Sequence, residues 1–429
     1  MNLTELSTSE LARRRDDLRG EYEALQAQGL TLDLTRGKPS AEQLDLSEPL
    51  LELPGAGKHV ASDGADTRNY GGLHGLVELR EIFSELLGVP VEQLLAFGNS
   101  SLELMHECLV HAVLFGVPGS AQPWGMGTGT ALLCPVPGYD RHFSLCEKLR
   151  IEMITVPMNA AGPYMDEVER LVEADARIKG IWCVPKYSNP SGIRYAEQTV
   201  GRLARMRTAA PDFRIFWDNA YVVHHLTEVR HEVADILQLA NDAGHANRPF
   251  VFGSTSKITL AGSGVAFYGA SPANVDWLTG HLAKRTIGPD KVNQLRHALF
   301  LETPAGVHAH MDRHRALLKP KFDLVQRTLT GQLGDSGVAT WTEPEGGYFV
   351  TLDVLEGCAS RVVELAADAG IALTTAGAPF PYSKDPDDRV IRLAPTYPPL
   401  SELAEALDGL VLCIKLAAVE RLLDGSVRV

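Results

Sequence analysis

Pro249-Phe-Val-Phe-Gly-Ser-Thr-Ser-Lys257 begins as an apolar run and ends in two serines, a threonine and a lysine. A run this short, closed by glycine and rich in Phe and Val, reads as a strand covered on both faces. Two other stretches share the design. Gly180-Ile-Trp-Cys-Val184 runs into Pro-Lys-Tyr-Ser-Asn189-Pro-Ser-Gly192, and Phe213-Arg-Ile-Phe-Trp217 ends in Asp218-Asn-Ala-Tyr221. Ala131–Pro135, Ile151–Val156 and Val265–Tyr268 are further strand candidates, and segments such as Ala196–Ala209 between them have helical texture. Strands alternating with helices at these lengths give an α/β fold with a mainly parallel sheet. Ligands bind such sheets at the carboxyl ends of the strands, where Asn189, Asp218 and Lys257 fall.

Outward from this core, residues 5–29 read as one polar helix, with Leu6, Leu11, Leu18, Tyr22 and Leu25 near helical spacing and Gly29 as its stop. Leu30 to Pro54 reads as loop. After about residue 305 a long helical stretch, His308 to Leu333, precedes grouped strands at 346–352, 371–375 and 389–393, the pattern of a smaller α+β domain. The expected division is an N-terminal helix and arm over 1–54 that packs with the small domain, a large domain over 55–305, and the small domain over 306–429.

The chain has 429 residues, with 40 Lys+Arg against 54 Asp+Glu and a formal net charge of −14. That balance argues against a general nucleic-acid binder, whose affinity rests on neutralising phosphates. A local cationic pocket for a small anion is still allowed. The six cysteines are scattered, with no Cys-x-x-Cys, so buried free thiols are expected. No apolar run is long enough to span a membrane and no basic-then-apolar leader opens the chain, so a cytoplasmic protein is expected.

A lysine at a strand's end can be desolvated into a nucleophile toward a carbonyl, and nearby hydroxyls and glycine amides can hold a phosphate. Ser254-x-x-Lys257 also has the spacing of a serine acyl-transferase nucleophile, but no Lys-Thr-Gly follows it. Asp218 can pair with a cationic ring nitrogen or simply cap a helix. Asn189 can donate to a ring oxygen or sit in an ordinary turn. His308-x-His310-x-x-x-His314 has metal-like spacing, but 308 and 310 do not share a helix face, so no metal is expected. Gly55-Ala-Gly57-Lys58 lacks the upstream glycine of a P-loop.

Asn-Pro-x-Gly, Asp-x-x-Tyr and Ser-x-Ser-Lys in this order resemble the fold-type I pyridoxal-phosphate enzymes, in particular the class I/II aminotransferases. Gly37 with Pro39, Tyr70 with Gly75 and Leu79-Arg80, Gly98-Asn-Ser-Ser101, Pro137-Gly-Tyr139, Pro344-Glu-Gly-Gly347 and Arg392-Leu-Ala394 complete the series over about residues 30 to 400. Cys134-Pro-x-Pro-Gly-Tyr139 and Ser256-Lys-Ile-Thr259 are similar to the aspartate-type subgroup that resembles the catalytic domain of MocR regulators.

The resemblance implies pyridoxal 5'-phosphate held covalently by Lys257, which would also shuttle the substrate proton. Asp218 would keep the ring nitrogen protonated, Tyr221 and Asn189 would bond the ring oxygen, and Tyr139 would stack on the ring. Ser100, Ser101, Ser254 and Ser256 would hold the phosphate, with Tyr70 reaching the site of a neighbouring subunit in a homodimer. Arg392 would clamp the substrate carboxylate, with Gly37 allowing close approach. The family's second phosphate anchor, an arginine about eight residues after the lysine, is missing. The implied activity is amino transfer from an L-amino acid, aspartate or glutamate being favoured, to a 2-oxo acid. A lyase or decarboxylase on the same fold is the alternative. A sensor or regulatory protein is disfavoured by the short segment before Gly37. A dicarboxylic substrate needs a second cation, for which Arg36, Lys38, Arg285 and Lys291 are the candidates.

Overall fold

A computed structural model gives the structure of residues 2–35, 37–127 and 129–426. At its centre the described residues form an eight-stranded sheet. The order is Leu94–Ala96, Ala266–Ala270, Pro249–Ser254, Arg214–Asp218, Ile178–Cys183, Ala131–Val136, Glu152–Asn159 and Gly162–Pro163. The strands from Pro249–Ser254 through Glu152–Asn159 pair in parallel. Ala266–Ala270 runs antiparallel to both of its neighbours, and Gly162–Pro163 closes the far edge antiparallel.

Side chains alternate across a strand, so a strand with cores on both faces must be apolar throughout. In Arg214–Asp218 every residue is buried; Ile215 and Trp217 enter one apolar cluster and Phe216 enters another. All six runs read as strands fall in this sheet. The short edge strands Leu94–Ala96 and Gly162–Pro163 carry too few residues to show a period in the sequence.

The later part of the chain forms a three-stranded antiparallel sheet from Ala339–Trp341, Val350–Val354 and Val390–Leu393. Leu32–Asp33 pairs in parallel with Ile371–Ala372. The expectation of loop from 30 to 54 is therefore corrected. That stretch holds this strand, the helix Ala41–Asp45 capped by Ser40, and a 3-10 turn over Glu48–Glu52. Each is anchored by tertiary contacts rather than by its own periodicity.

The N-terminal helix is Thr8–Gln26, beginning later than expected because Ser7 and Glu10 close a capping box. Its Leu11, Leu18, Tyr22 and Leu25 share an apolar cluster with Leu403, Leu407 and Leu410 of the helix Leu400–Ser426. Tyr22 also donates its hydroxyl to the Leu365 carbonyl at 2.8 Å. The long helix starts at Pro304, before the expected His308, because Thr303 accepts from the Gly306 amide and Pro304 occupies the first turn. The six cysteines are free and buried, as expected. No described helix is long and apolar enough to cross a membrane.

Three buried histidines tie pH to stability. Burial, aided by Lys186 for His225 and by His310 for His314, pushes both down to about 3, and burial pushes His297 down to about 4. The unfolded chain binds protons at these sites below about pH 6.5, before the folded chain does. Stability is therefore full above that pH and falls as pH drops toward 4, by up to about 1.4 kcal/mol per unit per histidine. Urea unfolding midpoints should fall steeply between about pH 6.5 and 5, and His297→Gln should flatten that slope.

Candidate active site

Four parallel strands leave the sheet at the same edge, and each hands on a polar group. Ala131–Val136 leads to Tyr139, Ile178–Cys183 to Asn189, Arg214–Asp218 ends in Asp218, and Pro249–Ser254 leads to Lys257. Between them lies a cavity of about 340 Å³. Every residue named from the sequence as a site residue lines it, except Tyr70. Gly37 and Arg392 arrive from the arm and the smaller sheet, and Ser100 and Ser101 from the start of the helix Ser101–Phe115.

Asp218 is buried, and its Oδ2 lies 3.0 Å from His142 Nε2. The His142 ring stacks on Trp182 at 4.1 Å and meets Tyr139 edge-on at 4.9 Å. Asp218 Oδ1 is buried and has no partner. An oxygen in that condition calls for a donor, because desolvation without compensation costs about 1–3 kcal/mol, more for a charge. Lys257 is half-buried, and desolvation lowers its amine from the usual lysine range against the opposing pull of Asp218. Its Nζ lies 5.0 Å from the centre of the Tyr221 ring. Burial, then the neighbouring Tyr139 and Asp218, holds the Tyr221 phenol well above its usual range, so it stays a donor. His224 donates from Nε2 to the Lys257 carbonyl at 3.2 Å, because a carbonyl can only accept. Burial and Lys257 keep that ring neutral.

Arg392 is buried, and its Nη1 donates to Asp140 Oδ1 at 2.7 Å and to Asn189 Oδ1 at 3.4 Å. Its guanidinium lies 5.0 Å from the centre of the Phe349 ring, and its Nε is buried without a partner. Gly37 owes its identity to this ring: a Cβ there would run into the Phe349 edge. The Ser100 side chain does not cap the helix it precedes, so amides of the first turn remain available to an anion. Ser256 donates to the Asn99 carbonyl at 3.4 Å, joining the two serine segments. A Cβ on Gly264 would sit 3.1 Å from Thr255 Oγ1 and 3.2 Å from the Asn99 carbonyl. The position where the family's arginine would come, Val265, is buried just before the strand Ala266–Ala270, and its carbonyl accepts from the Thr255 amide at 2.9 Å.

The sequence model of the family described as aspartate amino-transferase matches residues 6–426. The chain belongs to that family. This aminotransferase is 51% identical over 420 residues to an aspartate aminotransferase of Corynebacterium glutamicum, covering 98% of this chain and 97% of that one. It superposes with a TM-score of 0.96 on the crystal structure of an aspartate transaminase from the same organism, at 50% identity, with 98% and 99% of the two chains covered. An α-aminoadipate aminotransferase of Thermus thermophilus, complexed with N-(5'-phosphopyridoxyl)-L-leucine, has a TM-score of 0.72 at 21% identity, with 96% and 97% covered. The fold is fold type I, the α/β architecture that the resemblance implied.

Tyr70 lies outside the cavity of the aminotransferase, 79% exposed, and its carbonyl accepts from Lys291 Nζ at 3.1 Å. Arg36 lies outside the described residues. The sequence reading missed His142, Asp140, Phe349 and His224, whose roles depend on contacts between distant segments. His142 alone left a trace, three residues after Tyr139 on the first turn of the helix Asp140–Lys148. A second, larger cavity of about 650 Å³ is lined by Lys186, His225 and Arg230 and holds none of the residues assigned to the cofactor or substrate from the sequence.

Gly37→Ala should overpack the Phe349 ring at a cost of about 1–3 kcal/mol and push it against Arg392. The expected result is a KM for the amino acid raised about tenfold, with Phe349→Leu recovering most of the loss in the double variant. Additive losses in a double-mutant cycle would show that the ring is not the link.

Proposed function

We propose that the aminotransferase uses pyridoxal 5'-phosphate to move the amino group of L-aspartate or L-glutamate to a 2-oxo acid in two half-reactions. What carries the cofactor reading is a pair of orphaned atoms on residues that share one cavity with a lysine. Asp218 Oδ1 lacks a donor and Arg392 Nε lacks an acceptor, with Lys257 in the same cavity. A protonated pyridine nitrogen supplies the first need and a substrate carboxylate the second. The uncapped turn at Ser100–Ser101, with the Ser254 and Ser256 hydroxyls, suits a phosphate without help from an arginine. The phosphopyridoxyl complex of the Thermus aminotransferase supports the same choice.

When bound, the cofactor supplies an electron sink for the pair released at the substrate Cα. The chain's own residues do the rest. Asp218 Oδ1 would hold the proton on the ring nitrogen, and His142 keeps Oδ2 satisfied so that the carboxylate stays aimed. Tyr221 would donate to the ring oxygen, and Tyr139 would cover the ring face. Asn189 has its Oδ1 turned to Arg392, which leaves its Nδ2 to donate. Arg392 fixes the substrate carboxylate, and the lowered pKa of Lys257 gives an amine able to take the Cα proton and return it.

We also place two copies in a homodimer with shared sites. The exposed Tyr70 and Ile287 support it, since Gly288 abuts Gly71 and puts both on one surface. Six free thiols support a cytoplasmic setting.

The protein loaded with pyridoxal phosphate should lose its visible absorbance band on addition of L-aspartate alone, releasing stoichiometric oxaloacetate, and 2-oxoglutarate should restore the band. Lys257→Ala should show neither change. A band that persists with every amino acid tried would overturn the reading.

A further inference from the structure

The larger cavity, of about 650 Å³, shares no lining residue with the active site. It lies between residues 222–236 and the helices Val77–Leu87 and Pro304–Leu333. Its volume is that of a site for a small organic molecule, and the amino-transfer chemistry above makes no use of it.

Two of its lining side chains are buried and left incomplete. Lys186, 5% exposed, follows the strand Ile178–Cys183, and its Nζ donates to the Val222 carbonyl at 2.6 Å. It makes no ion pair and no other hydrogen bond with a described residue. Desolvation, opposed by Glu232, pushes its amine down to about 8, so it is still mainly charged at neutral pH. A buried ammonium with one neutral partner is costly, and an anion seated beside it removes much of that cost. Asn219, 8% exposed, adjoins Asp218, yet it lines this cavity while Asp218 lines the active site. Its side-chain amide bonds to no described residue, and its Oδ1 is buried without a partner.

The remaining walls say which anion fits. His225 is buried beside Lys186; its Nδ1 meets the Tyr187 hydroxyl at 2.7 Å, and burial, aided by Lys186, holds the ring neutral. Of the exposed lining residues, Arg230 is held by Asp312 at 3.0 Å, and Glu85, Glu232 and Asp235 are acids. One buried positive charge behind an acidic rim suits a monoanion and opposes a phosphate dianion. The half-buried Val222, Val233 and Ala234 offer apolar surface to a carbon body. We propose that this cavity is a second ligand site, for a monocarboxylate with an apolar body, its carboxylate accepting from Lys186 with Asn219 as a second donor. The assignment does not rest on the cofactor or the substrate of the active site.

The probe is benzoate, titrated by calorimetry into the protein loaded with pyridoxal phosphate. Benzoate can also reach Arg392, so the titration is made in Arg392→Met, which removes that route. The expected result is about one benzoate bound per chain, with affinity falling about tenfold or more when Lys186→Met is added and less with Lys186→Arg, the scale of one lost charge-assisted contact. Inorganic phosphate should bind about tenfold more weakly than benzoate. A second measurement needs no variant at Lys186. In wild type, benzoate should slow the acetylation of Lys186 by acetic anhydride severalfold, read by peptide mass spectrometry, and leave the exposed Lys58 unaffected. No benzoate bound in Arg392→Met, binding that Lys186→Met leaves unchanged, or phosphate bound more tightly than benzoate would overturn the assignment. So would acetylation of Lys186 that benzoate does not slow.

Discussion

A carboxylate cannot be kept charged inside a protein without partners, and much of this active site is arranged around the one at Asp218. It stands at the end of a strand buried on both faces, where solvent cannot supply hydrogen bonds. His142 satisfies one oxygen and is itself held by its stack on Trp182. The other oxygen is left to face the cavity. Stability alone would favour an apolar side chain at this depth, since buried charge is expensive. Here the carboxylate shares its cavity with a lysine whose amine desolvation has weakened as a base.

The same economy governs Arg392. Asp140, Asn189 and Phe349 come from a helix start and two loops, and together they fix the guanidinium while leaving Nε free. Gly37 belongs to this group although it makes no polar contact, because its missing side chain is the space into which the Phe349 ring fits. A chain with a net charge of −14 thus concentrates positive charge at one cavity.

The fold was legible where chemistry and period coincide. Continuous apolar runs marked the parallel strands because both faces are covered, and the polar residues that end them marked the catalytic edge. What stayed hidden was of two kinds. Leu94–Ala96 and the short elements between 30 and 54 are too brief to carry a period and exist because other segments hold them. His142, traceable only by its place after Tyr139, and Phe349 are ordinary residues until the fold brings them beside Asp218 and Arg392. The absent arginine was visible at once. Its physical counterpart, a cup closed by backbone at Gly264 and Asn99, needed coordinates.

The pairing of the N-terminal helix with the last helix bears on how the chain is made. Tyr22 and the Leu365 carbonyl it binds are 343 residues apart, and Leu32 waits for Ile371. On the ribosome the central sheet has all its strands while the apolar stripe of Leu11, Leu18, Tyr22 and Leu25 is still uncovered. That stripe is a natural site for a chaperone to hold during synthesis. Gly37 follows directly on the same arm, so its place against the Phe349 ring is set only once Leu32 has paired with Ile371.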